Sequence, residues 1–365
     1  MKKANWRNRE FVVRELYAPF VIQKDSDYSR VLSEKFLALL NKAKECEADT
    51  KSISIIKENK NRIEKSIHDY YLGKIGEFYS TIKDLVADCL TNKLAVSYLH
   101  DSYAFPGEMG TEMQFFRARV DDGYEFESGE MLNPPPGMRS KTFCARYSLP
   151  GVPSLYLANT SYGCWIELGR PSESRYNVAP IMVKKNIKVF NLAVMMRDMS
   201  GLDDGEIERV RCWIKLLMLM IATSFIVKEN GRSFKSEYIV SQGIMAACIE
   251  LGLDGVAYYS KRVSNEFFSQ AAINLVLFPG EEINKNSTSV KDKVQVGPPF
   301  NYALFRQLNN KELKYEYKLR VDENRWPKVI GDYNRQLHYR DTEFYRFDKF
   351  LFCSWREKPD QCIFT

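Results

Sequence analysis

The run RYSLPGVPSLYLANTSYGCWIE, from Arg146 to Glu167, constrains the fold of this chain more than any other stretch. The Pro150–Gly151 pair interrupts the backbone, and residues 154–158 then form a short apolar run that is typical of a buried strand. Residues 159–161, Asn-Thr-Ser, favour turns and helix N-caps, so we expect a helix to begin there and to carry Glu167 on its second turn. The run therefore predicts a strand followed at once by a helix.

Three side chains of this run suit the binding and attack of a nucleotide. Arg146 can hold a phosphate or a carboxylate through a two-pronged contact. Tyr156 offers a flat ring for stacking, and Glu167 can accept a hydrogen bond from a hydroxyl or stabilise a developing positive charge. Each residue also has a structural explanation: a surface ion pair for the arginine, a core position for the tyrosine, and a paired buried acid for the glutamate.

The same run resembles the RES domain, a family named for its arginine, glutamate and serine. The shared frame is Arg-(Tyr or Phe)-Ser-x-x-Gly-x-Pro-x-Leu-Tyr-Leu, followed by a glutamate early in the next helix. In this chain the frame begins at Arg146, contains Tyr156 as its tyrosine, and reaches Glu167 as its glutamate.

Further matches flank the frame on both sides. Upstream, FFRAR (115–119) is similar to the opening strand of the family, with Arg117 as its arginine. Downstream, DGVAYYS, ending at Ser260, and INLVLFP (273–279) resemble the closing strands. Four matches in the family's order are more specific than the central frame alone.

The resemblance implies an α+β fold with an ADP-ribosyltransferase-like split β-sheet, and a toxin that consumes NAD+ and is usually silenced by an Xre-like antitoxin. It implies catalytic roles for Glu167, Arg146, Tyr156 and Ser260, and it assigns substrate binding to Arg117, Tyr156 and Asn274. In that role the arginines hold the pyrophosphate, the tyrosine stacks on a ring, and the serine positions the substrate or the acceptor. NAD+ is then a substrate and not a cofactor, and no metal is expected.

Chemistry supports a single carboxylate for this reaction. The nicotinamide of oxidised NAD departs as a neutral molecule, so it needs no proton from an acid. A usual glycosidase uses two carboxylates, one of which protonates the leaving group. Here Glu167 alone is enough if it stabilises the positive charge on the ribose and binds a ribose hydroxyl. The residues agree with the resemblance, although they do not by themselves select NAD.

Composition limits the class of protein. The net charge of +6 suits an anionic ligand but is too small and too scattered to favour nucleic acid. The apolar run 216–227 has only 12 residues, which predicts a core helix and not a membrane span. The eight cysteines include no CxxC pair, so we expect reduced thiols, and the N-terminal residues contain no apolar signal segment. We therefore expect a cytoplasmic protein.

The chain of 365 residues divides into three parts by pattern. Residues 1–105 are predicted to form a helical N-terminal domain, with His100 to Gly110 as the expected linker. Residues 106–300 are the predicted RES domain. Residues 301–365 form an extension with 14 aromatic residues, which we expect to pack on the body or on a second subunit.

Two alternative functions stay open. The N-terminal helices resemble the HEPN-like domain, and Arg62 and His68 fit its loose Arg-x(4 to 6)-His pattern. On one helix face these two side chains could act on an RNA 2′-hydroxyl and its phosphate, which would make the protein a HEPN-type ribonuclease with a nucleotide-binding RES part. The chain could instead be a non-catalytic sensor of NAD or ADP-ribose. We expect a homo-oligomer, restraint by an Xre-like antitoxin or other inhibitor, no membrane partner, and a role in toxin–antitoxin or anti-phage defence.

Overall fold

The computed structural model describes residues 14–22, 27–90, 96–98, 113–121, 126–142, 144–184, 187–194, 207–227, 231–263, 272–279, 290–309, 329–332 and 335–356. Over these residues the protein has a mixed α+β fold, which confirms the predicted fold class at this level. Its contacts divide it into two compact units. Unit 1 contains Met1–Ser97, Cys144–Leu149 and Val189–Lys261; unit 2 contains Tyr98–Phe143, Pro150–Lys188 and Arg262–Thr365.

The described residues form the following helices and strands in chain order. The helices are α1 (Tyr28–Glu45), α2 (Thr50–Tyr71), α3 (Ile75–Leu90), α4 (Ser161–Glu167), α5 (Ile207–Ala222), α6 (Ile239–Glu250), α7 (Tyr302–Asn309) and α8 (Glu343–Arg356). The strands are β1 (Phe20–Val21), β2 (Val96–Tyr98), β3 (Met113–Val120), β4 (Leu155–Ala158), β5 (Tyr176–Val183), β6 (Lys188–Leu192), β7 (Phe225–Ile226), β8 (Gly255–Tyr259), β9 (Ile273–Leu277), β10 (Val294–Val296), β11 (Phe300–Asn301), β12 (Val329–Asp332) and β13 (Arg335–His338).

The N-terminal helices of unit 1 begin and end at the residues that their sequence favours. The Asp27 side chain accepts a hydrogen bond from the Ser29 N–H at 3.1 Å and caps α1. Asp49 caps α2 in the same way through the Ser52 N–H. The chain turns between α2 and α3 at Gly73, whose φ of +75° suits a residue without a side chain.

Helices α5 and α6 provide much of the core of unit 1. Most residues of α5 are buried, so the predicted core helix is present over the first part of the apolar run, whereas the run ends at β7 and not in the helix. Helices α2 and α3 pack against α5 and α6. Strands β6 and β8 pair in parallel from Val189↔Gly255 to Leu192↔Tyr258. None of the helices that the structure describes is both long and apolar enough to cross a membrane.

Unit 2 contains an antiparallel sheet with the strand order β10-β5-β3-β4-β9, and β11 also pairs with β5. Strands β3 and β5 pair over their full length, from Met113↔Val183 to Val120↔Tyr176. Strands β4 and β9 pair from Leu155↔Leu277 to Ala158↔Asn274. Every residue of β5 and β9 is buried, so this sheet lies inside unit 2 and is not exposed on one face.

The C-terminal helices α7 and α8 cover one face of this sheet with aromatic side chains. Phe347, Leu351 and Phe352 of α8 are buried in one cluster with Phe116 of β3 and Val178 of β5. Further members of the cluster, or residues packed against it, are Tyr176, Met182, Tyr302, Phe305, Phe344, Phe350 and Trp355. These parts of the extension belong to the core of unit 2.

The two units are defined by contacts between residues, whereas the three parts expected from sequence are continuous segments of the chain. Helices α1–α3 share unit 1 with α5 and α6, and α7 and α8 share unit 2 with the sheet. Whether 1–105, 106–300 and 301–365 fold as separate domains stays a prediction. The expected linker, residues 100–110, lies outside the described residues.

Gly243 determines how closely α6 can approach α3. A Cβ atom at this position would lie 2.7 Å from Cζ of Phe78 and 3.1 Å from Cγ1 of Ile82, and both side chains are fully buried. We expect Gly243→Ala to lower the free energy of unfolding by about 1–3 kcal/mol, because the helices must move apart. Urea unfolding of the purified protein measures this change.

Gly76→Ala is the matched control, since Gly76 lies in α3 and a Cβ there would meet nothing within 4 Å. We expect it to leave stability unchanged or to raise it by up to about 1 kcal/mol, because alanine favours a helix. Equal stability of the two variants would contradict the close packing of α3 and α6.

Candidate functional site

The predicted strand and helix are present in unit 2 as β4 and α4. Thr160 caps α4, because its side-chain oxygen accepts a hydrogen bond from the Gly163 N–H at 2.9 Å. A Cβ at Gly163 would lie 3.1 Å from Cβ of Ala158, so the missing side chain lets α4 pack closely on β4. Glu167 is the last residue of α4. The predicted start of the helix and the position of Glu167 on its second turn are confirmed.

A neutral side chain and a positively charged side chain contact the carboxylate of Glu167. Nδ2 of Asn274 donates a hydrogen bond of 2.6 Å to Oε1, and Nε of Arg262 lies 3.4 Å from Oε2. Asn274 is buried, whereas Glu167 and Arg262 are both partly exposed. An amide thus fixes one carboxylate oxygen, while the other faces a cation at a position that solvent and a ligand can reach.

Arg262 was not predicted as a site residue. It follows Ser260 by two positions in the segment YYSKR, so a basic residue directly after a strand that ends at a candidate serine was the available signal. The sequence does not show that this arginine lies beside a glutamate at position 167, because that proximity depends on tertiary structure.

Tyr156 and Asn274 lie on the same face of the β4–β9 pair. Ala158 is directly opposite Asn274, and directly opposite residues of an antiparallel pair share a face. Tyr156 is two positions from Ala158 on β4, so its partly exposed side chain points to that face as well. The structure therefore places Tyr156, Asn274 and Glu167, three of the predicted site residues, on one side of the sheet.

Arg117 lies on the other face. Phe116 is directly opposite Ala158, so Arg117, the next residue on β3, points away from the face that carries Tyr156 and Asn274. Its Nη1 donates to the carbonyl oxygen of Tyr156 at 3.1 Å, and among the described residues its Nε has no partner. Burial, together with the positive charge of Arg119, lowers the pKa of Arg117 to about 10. Arg117 stays charged near neutral pH, and its predicted contact with substrate stays a prediction.

Arg146 belongs to unit 1, where its guanidinium contacts the backbone. Nη1 donates to the carbonyl oxygen of Thr223 at 2.6 Å, and Nη2 donates to that of Phe225 at 2.7 Å. The guanidinium also lies over the ring of Tyr238, 5.1 Å from its centroid. These carbonyl groups follow the C-terminus of α5, where a positive charge is favourable. A two-pronged contact with a substrate would require both hydrogen bonds to be exchanged, so the predicted role stays a prediction.

Ser260 also belongs to unit 1. The predicted strand is present as β8, which ends at Tyr259, and Ser260 is the next residue. Its side chain is buried. The location after the strand is confirmed, and the predicted part in binding or positioning the acceptor stays a prediction.

The pattern formed by Arg62 and His68 is not a site on one helix face. Both residues lie in α2, where a separation of six residues corresponds to about 240° of rotation around the axis. Arg62 forms an ion pair with Asp88 at 2.6 Å, and His68 is exposed. The expectation that the two side chains share a face is therefore wrong, because six residues are neither one nor two full turns.

The cysteines and the other metal-binding residue types suggest no further centre within the described part of the chain. The seven cysteines that the structure describes are free thiols, and five of them are buried. Over the same residues, no group of three or more His, Cys, Asp or Glu side chains is arranged to hold a metal ion.

Comparison with known proteins finds a similar sequence and a weakly similar structure. No family model matches the chain. The chain is 24% identical over 233 residues to "Putative toxin YopC" of Bacillus subtilis (strain 168), which covers 60% of this chain and 51% of that protein. The matched region thus spans about half the length of the relative.

The similar structure is the M. tuberculosis MbcT–MbcA toxin–antitoxin complex. The match has 15% sequence identity and a TM-score of 0.30, and covers 62% of this chain and 97% of the matched chain. A TM-score of this size does not establish a shared fold or a shared function.

The contacts of Arg146 predict a large structural effect of its removal. We expect Arg146→Met to lower the free energy of unfolding by about 2–4 kcal/mol, because two carbonyl groups lose charged hydrogen-bond donors. The matched variant Arg262→Met should change it by less than about 1 kcal/mol, because its ion pair is partly exposed. Urea unfolding compares the two variants, and equal stability would show that the hydrogen bonds of Arg146 contribute little.

Proposed function

We propose that this protein is a toxin of the RES type that consumes NAD+ by cleaving its nicotinamide–ribose bond, through hydrolysis or phosphorolysis. The observation that carries the proposal is the arrangement around Glu167: a carboxylate at the end of α4, fixed by Asn274 and facing Arg262. The toxin assignment is supported by the similarity to a protein that is itself named a putative toxin.

The arrangement suits a reaction that needs only one carboxylate. Because nicotinamide leaves as a neutral molecule, the main requirement is negative charge beside the ribose as it becomes positive. The 2.6 Å hydrogen bond from Asn274 fixes the direction of the carboxylate before substrate binds, and preorganised charge of this kind costs no rearrangement during the reaction. The second oxygen then binds a ribose hydroxyl or stabilises the developing charge.

Arg262 adds a cation for the anionic part of the substrate. Its side chain is 44% exposed, and its guanidinium can exchange its contact with Glu167 for one with a diphosphate, which accepts two-pronged hydrogen bonds. This exchange would also free the carboxylate for the ribose. Tyr156, on the same face as Asn274, would stack on the nicotinamide ring.

The remaining sequence-based roles form part of the proposal. Arg146 is proposed to bind the pyrophosphate, and Ser260 to position the substrate or the attacking water or phosphate. Arg117 points to the opposite face of the sheet from Tyr156 and Asn274 and is left out of the proposed site. We further propose an ADP-ribosyltransferase-like arrangement of the sheet, a cytoplasmic location, a homo-oligomeric state, and restraint by an Xre-like antitoxin or another inhibitor. A self-toxic enzyme requires such restraint.

Replacement of Glu167 tests the proposed reaction. We expect the purified protein to release nicotinamide from NAD+, and Glu167→Gln to lower kcat at least about a hundredfold, because the amide cannot stabilise the positive charge. Liquid chromatography of nicotinamide and ADP-ribose, with and without inorganic phosphate, measures the rate and separates phosphorolysis from hydrolysis.

Glu173→Gln is the control, since this exposed glutamate of unit 2 is paired with Arg306 at 2.5 Å and lies outside the proposed site. It should retain the wild-type rate. A Glu167→Gln variant that cleaves NAD+ as fast as the wild type would refute the assignment of the catalytic carboxylate.

The ribonuclease alternative predicts a different outcome. Because Arg62 and His68 do not share a helix face, we expect His68→Ala to leave both NAD+ loss and growth arrest in expressing cells unchanged. Cellular NAD+ and total RNA integrity are measured after induction. Growth arrest that depends on His68 and leaves NAD+ intact would favour the ribonuclease.

A further inference from the structure

Unit 2 contains a buried carboxylate that the proposed reaction does not use. Asp348 lies on α8 and is completely buried. Its Oδ1 accepts a hydrogen bond from the backbone N–H of Ser161 at 3.0 Å, and its Oδ2 accepts one from the Tyr339 hydroxyl at 2.6 Å. Tyr339 lies in a short 3-10 turn, Tyr339–Asp341, just before α8.

Asp348 therefore contacts the helix that carries Glu167. Ser161 is the first residue of α4, and its N–H is one of the donors that a helix leaves without a partner inside itself. Over the six steps from Ser161 to Glu167 the helix rises about 9 Å. A change in the tilt of the first turn thus moves the carboxylate at the other end.

Several neighbouring elements hold this first turn. The Tyr176 hydroxyl of β5 donates to the carbonyl oxygen of Ser161 at 2.5 Å. On the surface of α4, the rings of Tyr162 and Trp165 lie 5.4 and 5.5 Å from the ring of Phe344 in α8. The contact between α4 and α8 thus combines an aromatic cluster with one charged hydrogen bond at the helix start.

Asp348 changes its charge near neutral pH. Burial raises the pKa of Asp348 to about 7, while the hydrogen bonds from Ser161 and Tyr339 act in the opposite direction. The titratable groups of the described residues that interact with it are Tyr339 of the 3-10 turn, Cys164 of α4, Tyr176 of β5 and Tyr302 of α7. Burial raises the pKa of each of these groups, so all four are neutral near pH 7.

The direction of this pKa shift has a consequence for stability. A carboxyl group with a raised pKa in the folded state stabilises the fold most when it is protonated, below its ordinary pKa near 4. That contribution is lost as the pH rises through about 7. A neutral side chain would stabilise the fold more above pH 7, so stability in that range does not account for a carboxylate at this position.

We propose that Asp348 is a positioning residue for Glu167. Ionised Asp348 fixes the first turn of α4 and, through this helix, the position of the Glu167 carboxylate. The proposal rests on the proposed function of Glu167. Asp348 does not touch the substrate; it acts through α4. The C-terminal helix α8 thereby contributes to the proposed active site through Asp348.

The ionised and protonated forms of Asp348 interact differently with the first turn of α4. The anion accepts from both Ser161 and Tyr339 and is attracted by the positive end of the helix dipole. On protonation this attraction is lost, and the Oδ2 proton must point at the Tyr339 oxygen. We therefore expect kcat for NAD+ cleavage to rise by about tenfold between pH 6 and pH 8, because small displacements of a catalytic group reduce rates strongly.

The test compares Asp348→Asn with Asp341→Asn, an exposed carboxyl close by in the same segment. Asparagine imitates the protonated form, so Asp348→Asn should keep the low-pH kcat throughout, with KM within about twofold of the wild type. Its melting temperature at pH 8 should be no lower than that of the wild type. The Asp341→Asn variant should follow the wild-type profile. The proposal would be overturned if kcat of Asp348→Asn rose with pH as it does in the wild type.

Tyr339→Phe provides a second test that does not depend on the folding of Asp348→Asn. It removes one donor to the ionised carboxylate, so the pH at which kcat rises should move upward. A profile with an unchanged midpoint would also overturn the proposal.

Fluorescence of Trp165 separates this proposal from the proposed function. Trp165 lies on α4 against Phe344, so its emission should change with a midpoint near pH 7 in the wild type and not in Asp348→Asn. Loss of the signal in Trp165→Phe assigns it to this residue. The fluorescence change without any NAD+ cleavage would refute the proposed reaction alone. NAD+ cleavage with no effect of Asp348→Asn on rate or fluorescence would refute the positioning role alone.

Discussion

A helix of seven residues has little stability of its own in water, and α4 exists because its surroundings hold it. Gly163 allows it to pack on Ala158 of β4, Thr160 caps it, and the aromatic residues of α8 cover it. The position of the only proposed catalytic carboxylate depends on these contacts. The position of Glu167 is therefore a property of the packing of unit 2, and not of the run 146–167 alone.

The features that could be predicted from sequence are those that local residues determine. Asp27, Thr160 and Gly73 act within a few residues of their own position, through caps and a positive φ, so the helix limits were predictable. The bond between Asn274 and Glu167 joins residues 107 positions apart, and only the pairing of β4 with β9 brings them together. The resemblance suggested both residues, but the sequence could not give their contact.

The two arginines of the prediction show a different limit. A guanidinium binds a phosphate and a pair of backbone carbonyl groups by the same planar geometry, so the residue type of Arg146 does not distinguish these partners. For Arg117 the face of the strand depends on register, which Phe116 and Ala158 set across two strands. The aromatic content of the extension was visible in the sequence, but nothing nearby in the chain marks Asp348 as the partner of Ser161.

The ribosome makes Ser161 long before Asp348, so the contact between these two residues can form only late in synthesis. The two residues are 187 positions apart, and at about 5–20 residues per second their synthesis is separated by roughly ten seconds or more. During that interval a nascent chain already contains the proposed catalytic glutamate but not the helix that steadies it. Under the proposed function, the interval gives an inhibitor time to bind before Glu167 is held in its final position.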